Sequence, residues 1–190
     1  MPYKSLFFQP GSRVVRYIGL DLPTDIYAKP DLEWDGKTMP LENASIDCVL
    51  LTEVLEHCPY PEIVLKEVFR VRKPGGFMYF TVPFLWPIHC APHDEYRYTP
   101  FSLKRHLANS GFSSIAIRAT GGWDASMAQM LGLWIRRRPA RGLRRTAKSL
   151  LSRLAVPFIL WLEKVDDPPD AYTDQVMPTG LNGTALKPVA

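Results

Sequence analysis

Short apolar runs alternate with segments of helical periodicity along most of this 190-residue chain. The runs Tyr17–Leu20, Ile46–Thr52 and Phe77–Pro83 are rich in β-branched or aromatic residues, and each ends at a charged residue or a proline. This pattern predicts short buried strands. Weaker strand predictions fall on Leu32–Trp34, Ser114–Arg118 and Gly183–Lys187.

Two segments between these runs have the spacing of amphipathic helices. Pro61–Lys73 carries three valines on one side and a proline in its first turn, which predicts a helix there. A second helix is predicted from Thr99, a suitable N-cap, to Gly111, a suitable C-terminal cap. Strands alternating with helices predict a single α/β domain over 1–190, with a mainly parallel sheet covered by helices on both faces.

A helical insertion over residues 123–172 is predicted before the last strand. Within it, Leu143–Lys164 has an apolar stripe opposite a basic side, with Pro157 as a predicted kink. Such a helix suits the surface of an anionic membrane. The alternatives are packing on the domain and dimer formation. The stripe consists of Leu143, Ala147, Leu150, Leu151, Leu154, Phe158, Trp161 and Leu162.

Charge and cysteine content narrow the class of protein. The formal net charge is +4, but eight of the 23 basic residues lie between Arg136 and Arg153 with no acid among them, so the remainder is mildly acidic. Local basicity of this kind does not favour a nucleic-acid partner. Three irregularly spaced cysteines argue against a disulfide framework. We therefore expect a cytoplasmic protein. If the basic helix binds a membrane, we expect that contact at the inner face of the membrane.

The first chemically informative stretch is YIGLDLP, where Asp21 directly follows an apolar run. In doubly wound nucleotide-binding folds, an acid at the end of the second strand accepts hydrogen bonds from ribose hydroxyls. The alternative is an acid that caps the next turn. A ribose site predicts a preceding strand and glycine-rich loop, and the sequence before Tyr17 contains neither pattern.

Three longer segments carry further motifs: DGKTMPLENASIDCVLLTEVLEH (Asp35–His57), EVFRVRKPGGFMYFTVP (Glu67–Pro83) and HCAPHDEYRYTPFSLKRHLANSGF (His89–Phe112). Together they resemble the class I S-adenosylmethionine-dependent methyltransferases, in particular the type 11 subgroup. The resemblance implies a Rossmann-like fold, S-adenosylmethionine as cofactor, and methyl transfer to a small-molecule, sugar or lipid-linked acceptor. It also implies that the family's first strand and glycine loop are missing, so a non-catalytic scaffold or remnant is the alternative.

The resemblance assigns cofactor contacts to six residues. Asp21 would hold the ribose hydroxyls, and Asp35 with Gly36 would meet the adenine amino group, although Asp-Gly is also a common turn. The other three follow a strand at its carboxyl end, where open α/β sheets bind ligands. They are Thr52, Glu53 and Val54.

The resemblance implies that Glu56 and His57 face either the cofactor or the acceptor, and that the loop containing His93 and Asp94 lies on the acceptor side. For a hydroxyl acceptor, His57 or His93 is the predicted base and Asp94 its orienter, while Tyr96 and Arg97 would orient the substrate. A structural role for these groups is the alternative. His89, Cys90, His93 and Asp94 are zinc-ligand types, but one short loop without a second ligand pair favours a polar site with no metal.

Overall fold

The computed structural model describes residues 4–23, 29–138 and 141–189. Strands and helices alternate along them, which confirms the α/β class. The helices are α1 (Lys4–Phe7), α2 (Pro61–Val71), α3 (Pro100–Asn109), α4 (Trp123–Arg137) and α5 (Leu143–Val165), with a 3-10 turn at Leu55–His57, and the strands are β1 (Leu20–Asp21), β2 (Leu32–Glu33), β3 (Ile46–Thr52), β4 (Arg72–Pro83), β5 (Ser113–Thr120) and β6 (Gly180–Leu186).

The strands form two sheets, and the larger one is mixed. β1 and β2 pair in parallel, while the four-stranded sheet has the order β3-β4-β6-β5. Only β3 and β4 are parallel within it, since β6 runs antiparallel to both of its neighbours. The prediction of a mainly parallel sheet is therefore wrong for the larger sheet.

The antiparallel pairings follow from how β5 connects to β6. The N–H of Thr179 donates to the carbonyl of Thr120 at 2.9 Å, so the end of β5 and the start of β6 lie side by side. Residues 121–179, which include α4 and α5, connect the two strands. Because β6 starts beside the end of β5 and pairs with it along its length, the two strands run antiparallel.

The α2 helix ends at Val71, two residues before its predicted end, because tertiary contacts hold the next residue in an extended conformation. Arg72 is fully buried, donates from Nη1 to the carbonyl of Ala185 at 3.2 Å, and lies over the ring of Phe112 at 5.7 Å. Its backbone pairs with Ile46 at the start of β4. These contacts outweigh a helical spacing that continues through Lys73.

One face of the larger sheet carries the core. From Met78 to Val82 in β4 and along β6, every second residue is buried, while the residues between them are partly exposed. In the described part of the chain, one face of these strands is thus buried and the other is partly covered, and coverage by helices on both faces stays a prediction. The core combines this face with α2 and α3 through Leu65, Val68, Met78, Phe80, Val82, Leu103, Leu107, Leu181 and Ala185.

Gly183 lies where β6 passes closest to its neighbours. A Cβ atom at this position would collide with the carbonyl oxygen of Ala116 and lie 2.7 Å from Cζ of Phe80. We expect Gly183→Ala to lower the free energy of unfolding by about 1 to 3 kcal/mol, since overpacking forces backbone shifts. Urea denaturation of the wild type and the variant measures the difference in the free energy of unfolding. Gly132→Ala is the matched control, because no atom lies within 4 Å of a Cβ built there, and an equal loss in both variants would contradict the packing argument.

Candidate functional site

The carboxyl ends of the parallel strands β3 and β4 bring two segments together. The turn Leu55–His57 follows β3, and residues 84–99, here called the acceptor loop, follow β4. The carbonyl of Glu56 accepts hydrogen bonds from the backbone N–H groups of Glu95 at 2.8 Å and Tyr96 at 3.1 Å. The Tyr98 hydroxyl donates to the carbonyl of Leu55 at 3.0 Å. The acceptor loop is therefore fixed against the turn.

Asp94 organises the acceptor loop from inside. Its two carboxylate oxygens accept from the guanidinium of Arg97 at 2.7 and 2.9 Å, and Oδ2 also accepts from the backbone N–H of His89 at 3.0 Å. The Arg97 guanidinium holds the pKa of Asp94 well below its usual value. A carboxylate with these partners is a poor proton acceptor, so the geometry favours the alternative reading in which Asp94 and Arg97 pin the loop.

The ring of His57 has a fixed tautomer. Its Nδ1 lies 2.6 Å from the carbonyl oxygen of His93, and a carbonyl can only accept, so Nδ1 carries the proton. In the neutral ring the lone pair is then on the other nitrogen, Nε2, which lies 3.7 Å from Oε1 of Glu56. The side chain of His93 is exposed. His57 is therefore the better positioned of the two predicted bases.

Glu56 is a buried acid beside this ring. Its side chain is fully buried, and neither carboxylate oxygen has a hydrogen-bond partner among the described residues. Burial raises its pKa to about 7, with the negative charge of Glu53 adding to the effect. An acid with no partner is costly in a protein interior, so this position calls for a ligand or a proton.

Asp21 lies where a ribose-binding acid should lie. It is the last residue of β1, at the carboxyl end of the parallel β1–β2 pair, and it is exposed. Its Oδ1 accepts from the N–H of Leu22 at 2.8 Å. This local bond leaves a carboxylate facing solvent at the ligand-binding edge, which fits a ribose diol.

Asp35 and Gly36 form a turn. Oδ1 of Asp35 accepts from the N–H groups of Lys37 at 2.8 Å and Thr38 at 2.9 Å, and these bonds lower the pKa of Asp35. Gly36 has φ +81°, a conformation that favours glycine. These two residues therefore form the Asp-Gly turn that was the alternative to an adenine contact. An adenine contact would have to use Oδ2.

The residues after β3 connect the ends of two strands. Glu53 has φ 53°, its N–H donates to the carbonyl of Thr81 at 3.0 Å, and its Oε1 accepts from the hydroxyl of Thr81 at 2.7 Å. Thr52 and Val54 on either side of it are half-buried. A carboxylate already bonded to β4 has less freedom to bind a ligand, so the backbone here is the better cofactor surface.

The structure brings together residues that the sequence treated separately. The rings of His57 and His89 lie 4.7 Å apart in an edge-to-face arrangement, with Cys90 beside them. The sequence argument considered His89 and Cys90 within one loop and missed their proximity to His57. This proximity could have been predicted, because both segments follow the carboxyl ends of neighbouring parallel strands.

A family model described as a methyltransferase domain, of the type 11 group, matches residues 11–80. The matched family is that of methyltransferase domains. The match spans β1 to β4 up to Phe80, and so includes all six predicted cofactor residues and His57. The family model thus agrees with the predicted type 11 methyltransferase resemblance over this segment.

Two curated relatives are named as methyltransferases. An "Uncharacterized methyltransferase" of Mycobacteroides abscessus is 32% identical over 87 residues, covering 39% of this chain and 32% of that protein. The "Ubiquinone/menaquinone biosynthesis C-methyltransferase UbiE" of Bartonella henselae is 27% identical over 126 residues, covering 50% of this chain and 48% of that protein. The chain thus spans half or less of the length of these two relatives.

Among solved structures, a methyltransferase of Thermotoga maritima described as a "possible histamine N-methyltransferase" is similar, with a TM-score of 0.49 at 12% identity. The similarity covers 82% of this chain and 63% of that one. A similarity at this level carries no information about the acceptor.

Proposed function

We propose that this chain is an S-adenosylmethionine-dependent methyltransferase acting on a small-molecule or lipid-linked acceptor. The observation that supports it most is the family match over residues 11–80, together with Asp21 exposed at the carboxyl end of β1. The match covers the strands whose ends carry the predicted cofactor residues.

In this proposal the cofactor supplies an activated methyl group on a sulfonium, so the protein mainly has to hold and align the two reactants. Asp21 binds the ribose hydroxyls, and Oδ2 of Asp35 receives the adenine amino group. The backbone of Thr52 to Val54 lines the cofactor at the end of β3. The acceptor loop encloses the acceptor and excludes water from the transfer.

Proton removal is needed only when the acceptor is a weak nucleophile such as a hydroxyl. In that case Nε2 of His57 is the base, because Nδ1 is engaged by the carbonyl of His93 and the lone pair of Nε2 remains. His93 is the second candidate. Asp94 acts by holding the loop that positions both rings, through Arg97.

The second candidate function is a methyltransferase-like scaffold that does not turn over. In the described residues, 4–19 contain α1 and no strand, and β3 forms the edge of the larger sheet.

A transfer assay separates the two functions. The purified chain is incubated with S-adenosylmethionine labelled in its methyl group and with a panel of hydroxyl, amine and carbon acceptors, including lipid-linked ones. The enzyme proposal expects label in at least one acceptor and an equal amount of S-adenosylhomocysteine. A folded chain that binds the cofactor and labels nothing would favour the scaffold.

We also propose that α5 rests on an anionic membrane surface. Leu154, Phe158 and Trp161, spaced four and three residues apart on one side of the helix, are 68%, 48% and 54% exposed although α5 packs on α4. The basic run Arg136–Arg153 supplies the complementary charge. Among the residues described, no helix is long and apolar enough to cross a bilayer. The side chain of Leu143, part of the predicted stripe, lies outside the described set.

Vesicle sedimentation tests this contact. At low salt, we expect vesicles with anionic lipid to sediment the protein and neutral vesicles to leave it in solution, with recovery of free protein at high salt. Phe158→Ser with Trp161→Ser should weaken sedimentation, whereas Phe101→Ser, at a more exposed aromatic residue on α3, should not. Dimerisation of the chain in solution without any binding to vesicles would assign the apolar face to a second copy instead.

A further inference from the structure

Three metal-ligand side chains converge between the turn after β3 and the acceptor loop. His57, His89 and Cys90 each offer one ligand atom, and these atoms all lie within 4.8 Å of one another. The two rings are half-buried and Cys90 is exposed, so the group is open to solvent on the cysteine side. An ion could therefore enter without any rearrangement of the core.

The ring of His57 is held by an acceptor of the kind that orients metal-bound histidines. Its Nδ1 donates to the carbonyl of His93. A metal-ligating histidine commonly gives its second ring N–H to a carbonyl or carboxylate, which leaves the other nitrogen, here Nε2, for the ion. Nδ1 of His89 lies 3.4 Å from Oδ2 of Asp94 and has no hydrogen-bond partner among the described residues.

A second and independent observation points to a cation at the same place. The carboxylate of Glu56 is fully buried without a hydrogen-bond partner in the described part of the chain, and its Oε1 lies 3.7 Å from Nε2 of His57. Buried carboxylates are normally paired or bound to a metal. A cation at the two histidines would be the missing partner of this carboxylate.

We propose that His57, His89 and Cys90 bind a divalent zinc-type ion, with the carboxylate of Glu56 beside its fourth coordination position. Two imidazoles and one thiolate suit Zn²⁺, and three protein ligands with an open position are typical of reactive zinc sites. In a tetrahedral zinc site the ligand atoms lie about 3.3 to 3.8 Å apart, as Zn–N and Zn–S bonds of about 2.0 and 2.3 Å require. The acceptor loop has to close by about 1 Å.

The site goes beyond methyl transfer and does not depend on it. Ion binding uses Nε2 of His57, the atom that would otherwise take the acceptor proton. The metal ion and that proton therefore compete for the same lone pair. An ion there would bind an acceptor thiol or hydroxyl and favour its deprotonated form. The acceptors best suited to such a site carry an oxygen or sulfur nucleophile.

Cobalt substitution tests the proposal with a spectroscopic readout. The reduced, metal-free full chain is titrated with CoCl₂ and, by calorimetry, with ZnCl₂. We expect one equivalent of each to bind, and cobalt to produce the thiolate charge-transfer absorption in the near ultraviolet. Cys90→Ser should abolish that absorption, and His89→Gln should weaken zinc binding at least about tenfold.

Cys48→Ser is the matched control, because Cys48 is also an exposed free cysteine but lies on β3 away from the cluster. It should retain the absorption and the affinity. Thermal melts and S-adenosylmethionine titrations of the same samples show whether each variant is folded and separate this test from the methyltransferase proposal. The proposal is overturned when a folded wild-type chain gives no thiolate–cobalt absorption, or when the absorption survives Cys90→Ser.

Discussion

Replacing Asp21 by alanine will weaken the binding of S-adenosylmethionine about a hundredfold or more. In the proposed complex the carboxylate accepts hydrogen bonds from both ribose hydroxyls, and a hydrogen bond to a charged group contributes about 1.5 to 3 kcal/mol. Asp21 is exposed and its Oδ1 accepts a bond from the N–H of the adjacent Leu22. The fold should therefore survive the change. Calorimetric titration of wild type and variant measures the ratio of the two dissociation constants.

Glu33→Ala is the control for this loss of charge. Glu33 is the acid directly opposite Asp21 in the β1–β2 register, it is also exposed, and the resemblance gives it no cofactor contact. Its removal changes the net charge equally, so we expect less than a threefold effect. Equal losses of affinity in both variants would mean that Asp21 acts only through its charge or through the stability of β1. The assignment of Asp21 to the ribose would then be wrong.

Asp94→Asn will lower the melting temperature by about 10 °C near neutral pH. The substitution leaves the half-buried guanidinium of Arg97 without its carboxylate and weakens the bond to the N–H of His89. Breaking a buried pair by removing one partner is far more costly than losing an exposed pair. The acceptor loop would then lose its attachment beside His57, so binding of the acceptor should also weaken.

The pH dependence of this effect has a definite sign. Because Arg97 depresses the pKa of Asp94 in the folded protein, its stabilisation is present above the ordinary value of 3.8 and is lost as pH falls below it. The difference in melting temperature between wild type and Asp94→Asn should shrink with acid. Asp47→Asn, at the exposed pair with Lys73, should change the melting temperature by only one or two degrees. A similar loss in both variants would contradict the loop-pinning role.

The strand and helix pattern could be predicted because it depends on local signals. The proline at the start of α2 and the capping box at Thr99 and Ser102 lie in the sequence itself, and the structure has both helices there. The end of α2 could not be predicted, since Arg72 is held by Ala185, which lies 113 residues away. The direction of β6 was missed for a similar reason, because it depends on where the chain returns after α4 and α5.

The candidate site was predictable in its residue types and less so in its roles. Asp21 was predicted from one strand ending in an acid, and it lies exposed at the carboxyl end of β1, while its ribose contact stays a prediction. Asp94 was predicted to orient a base, and the structure shows it bound to the guanidinium of Arg97 and to the N–H of His89. His57 and Cys90 are 33 positions apart, and only the pairing of β3 with β4 brings them together.

Calorimetric titration of the unaltered 190-residue chain with S-adenosylmethionine, after circular dichroism has shown that the chain is folded, tests directly whether the chain binds the cofactor. We expect one binding site of micromolar affinity, with competition by S-adenosylhomocysteine at the same site. A folded chain that gives no binding heat and does not retain the cofactor in equilibrium dialysis would contradict the methyltransferase proposal.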